Sequence, residues 1–414
     1  MKDTNSNKSK PLTIEGRLKL YATLGDNLVA YKVQLDYLFY KSKNNPKNYY
    51  IRLFCNVTFI ALDLCVALRA CLISKNKYEN RYHIKYLLVN IYEAVRAIYN
   101  KENDKYSYLS KLQKIDAQLL NNDGYCEIIK KIQLLQSEFE RISIARNSYV
   151  HYDENVLDTY NHLVDIKSEE YATQWCCELL YVLQYLKNLC ESKFTLDISE
   201  IMLSPSCDFN AMIVQSIHDK VSDDENLKGA IKSTINRAIK DLDSHAKYLN
   251  LVNLLDLDVA AKVCPFLNIY MLIQILRADI AVAVKAFLQS RDNVESMMNL
   301  RRIVIIKYEG LSHLQCMWQK LPNSLVYDKE HEWIDTIISG EKKDERNQST
   351  HYRYKGKDYI SKMYVECNDS VNHLKILKEI PNLLNMLTLL SNKLKEKLKI
   401  FQKTNMYPMP PMCS

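Results

Sequence analysis

Residues Asp63–Ala94 read DLCVALRACLISKNKYENRYHIKYLLVNIYEA, and residues Asp279–Gly310 read DIAVAVKAFLQSRDNVESMMNLRRIVIIKYEG. The two segments align without a gap at a constant offset of 216 residues, and nine of the 32 paired positions are identical. A repeat of this length indicates a duplicated domain rather than a short-period solenoid. The sequence therefore predicts two copies of one module.

The composition predicts that the module is helical. The 414 residues include only 7 Gly and 9 Pro, so turns and helix breakers are few, and Leu, Lys, Glu and Ile are abundant. Apolar residues recur at three-to-four spacing along most of the chain. Helices are predicted at about 14–40, 50–74, 79–99, 109–144 with a break at 121–124, 169–191, 227–249, 265–290 and 295–319, followed by two more helices to about 402.

The predicted fold class is all-α, with two duplicated helical-bundle domains in tandem. The first domain is expected to span residues 13–203 and the second 204–403. Residues 1–12 are expected to form a disordered leader, which is polar and unlike a signal peptide, and residues 404–414 a flexible tail. Each domain has the length of an ordinary folding unit with its own core.

The net charge, the cysteines and the apolar runs indicate which partners, metals and compartments to expect. The net charge of +7 permits a polyanionic partner without demanding one. The 12 Cys are scattered, with no Cys-x-x-Cys pair and no His/Cys cluster at zinc spacing, which favours a reducing cytoplasm and predicts no metal site. The longest charge-free apolar run, Val263 to Leu276, is too short to span a bilayer, so we expect no membrane association.

One short motif occurs once in each half. Arg146-Asn147-Ser148-Tyr149-Val150-His151 and Arg346-Asn347-Gln348-Ser349-Thr350-His351 both read Arg-Asn-x-x-x-His, and a Tyr follows each His. Composition alone would give about 0.025 copies of this pattern in the chain. Its presence in both halves is therefore not accidental.

The motif combines three groups that suit phosphodiester chemistry. On a helix, Asn147 and His151 lie four residues apart on one face, as do Asn347 and His351. Each motif then offers an imidazole that titrates near neutral pH, an amide that can orient it, and a guanidinium group suited to phosphate. A duplicated structural hydrogen-bonding pair is the alternative interpretation of the same residues.

At these residues the sequence resembles the HEPN superfamily, whose ribonucleases carry an Arg, four to six residues, and then a His. The resemblance covers only a few residues in each half. It implies a helical bundle in each domain, metal-independent RNA cleavage without a cofactor, and a composite site where two domains pair about a two-fold axis. It also implies roles in phage defence, abortive infection and toxin systems.

The resemblance assigns catalytic roles to Arg146, Asn147, His151, Arg346, Asn347 and His351. One histidine would take the proton of the 2′-OH and the other would protonate the leaving 5′-oxygen. The arginines would stabilise the transition state, and products would end in a 2′,3′-cyclic phosphate. The motifs could pair within one chain or across a homodimer. RNA is the expected partner, and a regulatory or antitoxin protein is a further candidate.

Six further residues are candidates for supporting roles. Asp63, Glu93, Asp279 and Glu309 are acidic in both copies on otherwise apolar helices, so they either hold the motif arginines in place or are charges on the helix surface. Lys355 and Lys357, which follow the second motif, are candidates for contacts with the RNA backbone. The rival hypothesis is a catalytically inactive helical module of the same fold that binds RNA or a partner protein.

Overall fold

A computed structural model describes most of the chain. The described residues are 13–74, 76–99, 107–140, 156, 169–194, 216, 218–221, 223–255, 257–290, 293–321, 353–354, 357–358, 360 and 370–403. Within these residues the fold is all-α, apart from one pair of two-residue strands. The expected leader, tail and joint between the domains lie outside them.

Ten α-helices are assigned within the described residues. In the first half they are α1 (Ile14–Asn44), α2 (Tyr49–Ile73), α3 (Lys77–Ile98), α4 (Tyr108–Ile115), α5 (Asp123–Glu140) and α6 (Glu169–Glu191), with a 3₁₀ helix at Ala117–Asn121. In the second half they are α7 (Glu225–Leu255), α8 (Leu257–Leu288), α9 (Asn293–Gln319) and α10 (Ser370–Lys403). Strands β1 (Arg353–Tyr354) and β2 (Lys357–Asp358) pair antiparallel, with Arg353 opposite Asp358 and Tyr354 opposite Lys357.

These described residues form two compact units. Unit 1 contains α1 to α6 together with β1, β2 and Ile360. Unit 2 contains α7 to α10 and Val156.

Unit 1 is built around α2, which packs against α1, α3 and α6. Every residue of α2 from Leu53 to Leu72 is buried, because the helix is apolar on all sides and neighbours cover each side. Asn48 is the N-cap of this helix, because its side chain accepts hydrogen bonds from the backbone amides of Tyr50 and Ile51. By contrast, α1 buries a single stripe that includes Leu24, Leu28, Leu35 and Leu38.

Unit 2 is built around α8 in the same manner. This helix packs against α7, α9 and α10, and every residue from Ile269 to Val284 is buried. The sequence predicted that α8 begins at Pro265, but the helix begins at Leu257 and Pro265 lies inside it. A proline lacks one backbone N–H, which costs one hydrogen bond of the helix without ending this one.

One helix is long and apolar enough to cross a membrane by length and composition, among those that the structure describes. This helix is α2, and 94% of its most apolar window is buried inside the protein. A core helix of a soluble protein passes the same test, so the finding is weak evidence for a membrane span.

Candidate functional site

The two motifs themselves fall in parts of the chain outside the described residues. This applies to Arg146, Asn147, His151, Arg346, Asn347 and His351, and also to Lys355. Lys357 lies in β2, where it pairs with Tyr354. The described elements that precede each motif in sequence are the helix pairs α2–α3 and α8–α9, and these pairs carry the acidic candidates.

The four acidic candidates all lie in the cores of these helix pairs. Asp63 on α2 and Asp279 on α8 are both 0% exposed. Glu93 on α3 is 3% exposed and Glu309 on α9 is 4% exposed. This burial excludes exposed charges on the helix surface, and each of the four side chains has interaction partners. A buried carboxylate needs such partners, because removal from water is costly for a charge.

Each helix pair also buries a third acid and a base at matching positions. Glu79 and Glu295 are buried near the starts of α3 and α9, and the aligned cations Lys85 and Arg301 are buried one to two turns later. The sequence comparison did not single out these cations, although both positions are basic at the same offset. Each helix pair therefore buries three acids and a base at matching positions.

The turn between the two helices has the same hydrogen bond in both units. The Ser74 hydroxyl donates to the carbonyl of Ala70 at 2.8 Å, and the Ser290 hydroxyl donates to the carbonyl of Ala286 at 3.0 Å. In unit 2, Asn299 Nδ2 also donates to Ser290 Oγ at 2.9 Å. The two serine bonds satisfy backbone carbonyl groups that the end of a helix leaves without a partner.

A cluster of polar side chains in unit 1 joins the C-terminal end of α2 to three other helices. Arg17 on α1 donates to the carbonyl of Leu72 at 3.0 Å and forms an ion pair with Glu169 on α6. Asn80 on α3 donates to Glu169 Oε2 at 2.9 Å and to the carbonyl of Cys71 at 3.2 Å. This cluster fixes the position of α3 relative to α2 and therefore the positions of Asp63 and Glu93.

A buried lysine forms a second cluster in unit 1. Lys187 on α6 is 3% exposed, and its ammonium lies 4.0 Å from the centroid of the Tyr31 ring. Burial lowers the pKa of Lys187 to about 8, although Glu191 opposes that shift. Burial also raises the pKa of the Cys65 thiol to about 12, so this thiol remains protonated and is a poor nucleophile.

Unit 2 has a polar network between α7, α8 and α10. Tyr270 donates to Asp241 Oδ2 at 3.0 Å, and His245 Nδ1 lies 2.7 Å from the carbonyl of Asp241. Burial lowers the pKa of His245, which favours the neutral imidazole. Because a carbonyl oxygen can only accept, Nδ1 carries the proton and donates this hydrogen bond.

The same network continues toward α10. Arg277 Nη1 donates to Gln274 Oε1 at 2.9 Å, and Gln274 Nε2 donates to Ser391 Oγ at 2.6 Å. No sequence pattern predicts this network, because its members are spread over three helices and lack counterparts at the repeat offset.

Within the described residues, no group of three or more His, Cys, Asp or Glu side chains could hold a metal ion. The eight cysteines that the structure describes in detail are free thiols. Comparison of the chain with protein-family models, with curated proteins and with solved structures finds no match.

Proposed function

We propose that this chain is a HEPN-like, metal-independent endoribonuclease in which both Arg-Asn-x-x-x-His motifs contribute to cleavage. The observation that carries the proposal is the occurrence of this motif once in each half, at His151 and at His351. The motif supplies an acid–base group and a phosphate-binding cation together, which is what cleavage of a phosphodiester needs.

The helix pairs that precede the motifs support a tandem duplication. The first helix of each pair ends at Ile73 or Leu288, and the second begins at Lys77 or Asn293, so both turns fall at the same place in the alignment. Burial of Asp63 and Asp279, and of Glu93 and Glu309, also agrees between the copies. Matching charges at core positions are expensive, so they support descent from one module.

The proposed reaction needs no group beyond the protein and the RNA. One histidine removes the proton from the 2′-OH, whose oxygen attacks the adjacent phosphorus. The 5′-oxygen leaves and takes a proton from the other histidine. Arg146 and Arg346 stabilise the charge on the transferring phosphoryl group. The products are a 2′,3′-cyclic phosphate and a free 5′-OH.

The proposed setting is the cytoplasm, where RNA is available and thiols stay reduced. A role in phage defence or as a toxin follows from the resemblance to HEPN ribonucleases, and it would require control by a regulatory or antitoxin protein.

Single substitutions test the proposal. His151→Ala and His351→Ala should each reduce cleavage of labelled RNA by about a hundredfold or more, the usual contribution of one general acid or base. His313→Ala is the matched control, because His313 has no counterpart in the other half. Folding of each variant is checked by circular dichroism and thermal unfolding.

The pattern of losses separates the alternatives. Loss in the His351→Ala variant alone would assign the chemistry to the second motif. Wild-type cleavage in both folded variants would mean that the motifs are structural and would favour an inactive module that binds RNA or a protein. Products without a cyclic phosphate would contradict the proposed reaction.

A further inference from the structure

The last helix of unit 2 is strongly basic. Helix α10 contains seven Lys and two Glu, and its C-terminal part places Lys393, Lys395, Lys397, Lys399 and Lys403 around a single acid, Glu396. The modest net charge of the whole chain, +7, conceals this concentration. A local excess of one charge sign is more informative about partners than the total.

The corresponding helix of unit 1 has the opposite charge. Helix α6 packs on the central helix α2 as α10 packs on α8. It contains four Glu and one Lys, and the lysine, Lys187, is buried. Packing on a central helix therefore does not require a basic surface.

The apolar side of α10 is already covered. Five leucines, each at most 4% exposed, face the core of unit 2: Leu383, Leu387, Leu390, Leu394 and Leu398. A helix that binds a membrane surface must insert its apolar face among the lipids. Because these leucines are buried and Leu389 is the exposed leucine among the described side chains of α10, the helix lacks a continuous apolar face for insertion into lipid.

The lysines line both edges of the covered side. Lys393 and Lys397 are four residues apart on one edge, and Lys395 and Lys399 are four apart on the other. The ammonium of Lys397 lies 6.0 Å from the centroid of the Phe266 ring, and Lys399 pairs with Glu396 at 2.7 Å. Residues four apart on a helix are separated by about 6 Å along its axis, a spacing suited to successive phosphates of an extended strand.

Helix α7, which packs on α8 as α10 does, carries further cations. Its Arg237, Lys240 and Lys247 are exposed. Tyr270 on α8 donates to Asp241 on α7, and Gln274 on α8 donates to Ser391 on α10, so both helices lie against the same part of α8. Both helices pack on α8, which holds their cations in a fixed arrangement.

We propose that the lysines of α10 between Lys393 and Lys399, together with the exposed cations of α7, bind the phosphate backbone of single-stranded RNA without base specificity. This inference rests on the proposed action on RNA. It names a binding surface in unit 2 that is separate in sequence from both motifs. Each bound phosphate releases condensed counterions, so binding through this surface must weaken steeply with salt.

The test compares two variants of equal net charge. One variant carries Lys393→Gln, Lys395→Gln, Lys397→Gln and Lys399→Gln. The matched control carries Lys19→Gln, Lys47→Gln, Lys114→Gln and Lys130→Gln, four exposed lysines of unit 1. Glutamine has a helix propensity close to that of lysine, so each variant loses four cations with little effect on helix formation.

The binding probe is fluorescein-labelled 2′-O-methyl RNA of about 30 nucleotides, longer than the roughly 51 Å axis of α10. It lacks the 2′-OH nucleophile, so the proposed cleavage cannot consume it. Fluorescence anisotropy at several salt concentrations should show about tenfold weaker binding for the α10 variant. The negative slope of log K against log salt should become shallower by about 2, the effect of losing roughly three phosphate contacts. The control variant should bind like wild type.

Three results would overturn the inference: equal weakening in both variants, no weakening in the α10 variant, or tighter binding to anionic phospholipid vesicles than to RNA. Cleavage is measured separately on unmodified RNA. Salt-dependent binding through α10 without cleavage would refute the ribonuclease and leave the surface standing. Cleavage of RNA together with wild-type RNA binding by the α10 variant would refute the proposed surface and leave the ribonuclease standing.

Discussion

At the scale of single residues, two helical glycines have different surroundings. A Cβ atom at Gly310 on α9 would lie 2.0 Å from Leu276 Cδ2, so α8 and α9 approach closely there. A Cβ atom at Gly229 on α7 would meet nothing within 4 Å. The glycine at position 310 is therefore explained by packing, whereas the one at position 229 is not.

We expect Gly229→Ala to stabilise unit 2 by about 0.5–1 kcal/mol, because alanine is the better helix former. Gly310→Ala has the same gain in propensity but forces the buried Leu276 to move, which costs about 1–3 kcal/mol. The two variants should thus differ by about 2 kcal/mol in urea-induced unfolding. Equal stabilities would mean that Leu276 repacks without cost.

Lys187 gives a prediction that depends on pH. Its pKa is about 8 in the folded protein and 10.5 in an unfolded chain, so the unfolded chain binds more protons between these values. The stability of the wild type should therefore rise with pH across this window. Below pH 8 the full cost of burying the ammonium is present.

Lys187→Met should remove that cost and stabilise unit 1 by about 1–2 kcal/mol at pH 7, after allowance for the lost contact with Tyr31. The advantage should shrink as pH rises toward 10. Urea unfolding at pH 7 and pH 9.5 measures it, with the exposed Lys130→Met as control. A gain that does not change with pH would assign the effect to packing alone.

At the scale of helices, the sequence predicted most elements within a few residues. Helix α6 was predicted at 169–191 and observed at Glu169–Glu191, because its apolar stripe is regular and charged residues mark both ends. The predicted start of α8 at about residue 265 was wrong, since the helix begins at Leu257 and continues through Pro265. Pairwise hydrogen bonds between helices, such as Gln274 to Ser391, could not be predicted because they depend on packing across 117 positions.

The turns between the repeated helices give a matched pair of variants. Ser290 is buried and receives a hydrogen bond from Asn299, whereas Ser74 is half-buried. Ser290→Ala should cost about 1–3 kcal/mol, because it leaves a buried amide donor with a poorer set of partners. Ser74→Ala should cost about 1 kcal/mol or less. Thermal unfolding of the two variants measures the difference, and a larger loss for Ser74→Ala would contradict the hydrogen-bond argument.

At the scale of the whole molecule, the all-α class is confirmed for the described residues, and it followed from the scarcity of Gly and Pro. The apolar sequence neighbours of Asp63 and Asp279 left burial and surface exposure open, and the structure shows burial. The polar network of unit 2 and the buried Lys187 could not be foreseen, since neither repeats between the halves. The roles of the two motifs stay predictions.

A chelation experiment tests the reaction class for the whole chain. The sequence has no cluster at zinc spacing, and the proposed acid–base mechanism uses only protein groups. Cleavage of RNA should therefore retain its rate, within about twofold, after dialysis against EDTA. Activity that returns only with Mg²⁺ or Mn²⁺ would indicate a two-metal or Lewis-acid reaction instead.

The burial of α2 on all sides has a consequence for biosynthesis. Helix α2 ends at Ile73, but α6, which covers one of its sides, ends at Glu191. Translation of the intervening stretch of about 118 residues takes roughly 6–24 s at 5–20 residues per second. Until α6 is made, the side of α2 that it covers stays exposed, although α1 and α3 are already available for the other sides. Synthesis of this protein should therefore depend on chaperones that shield emerging hydrophobic segments.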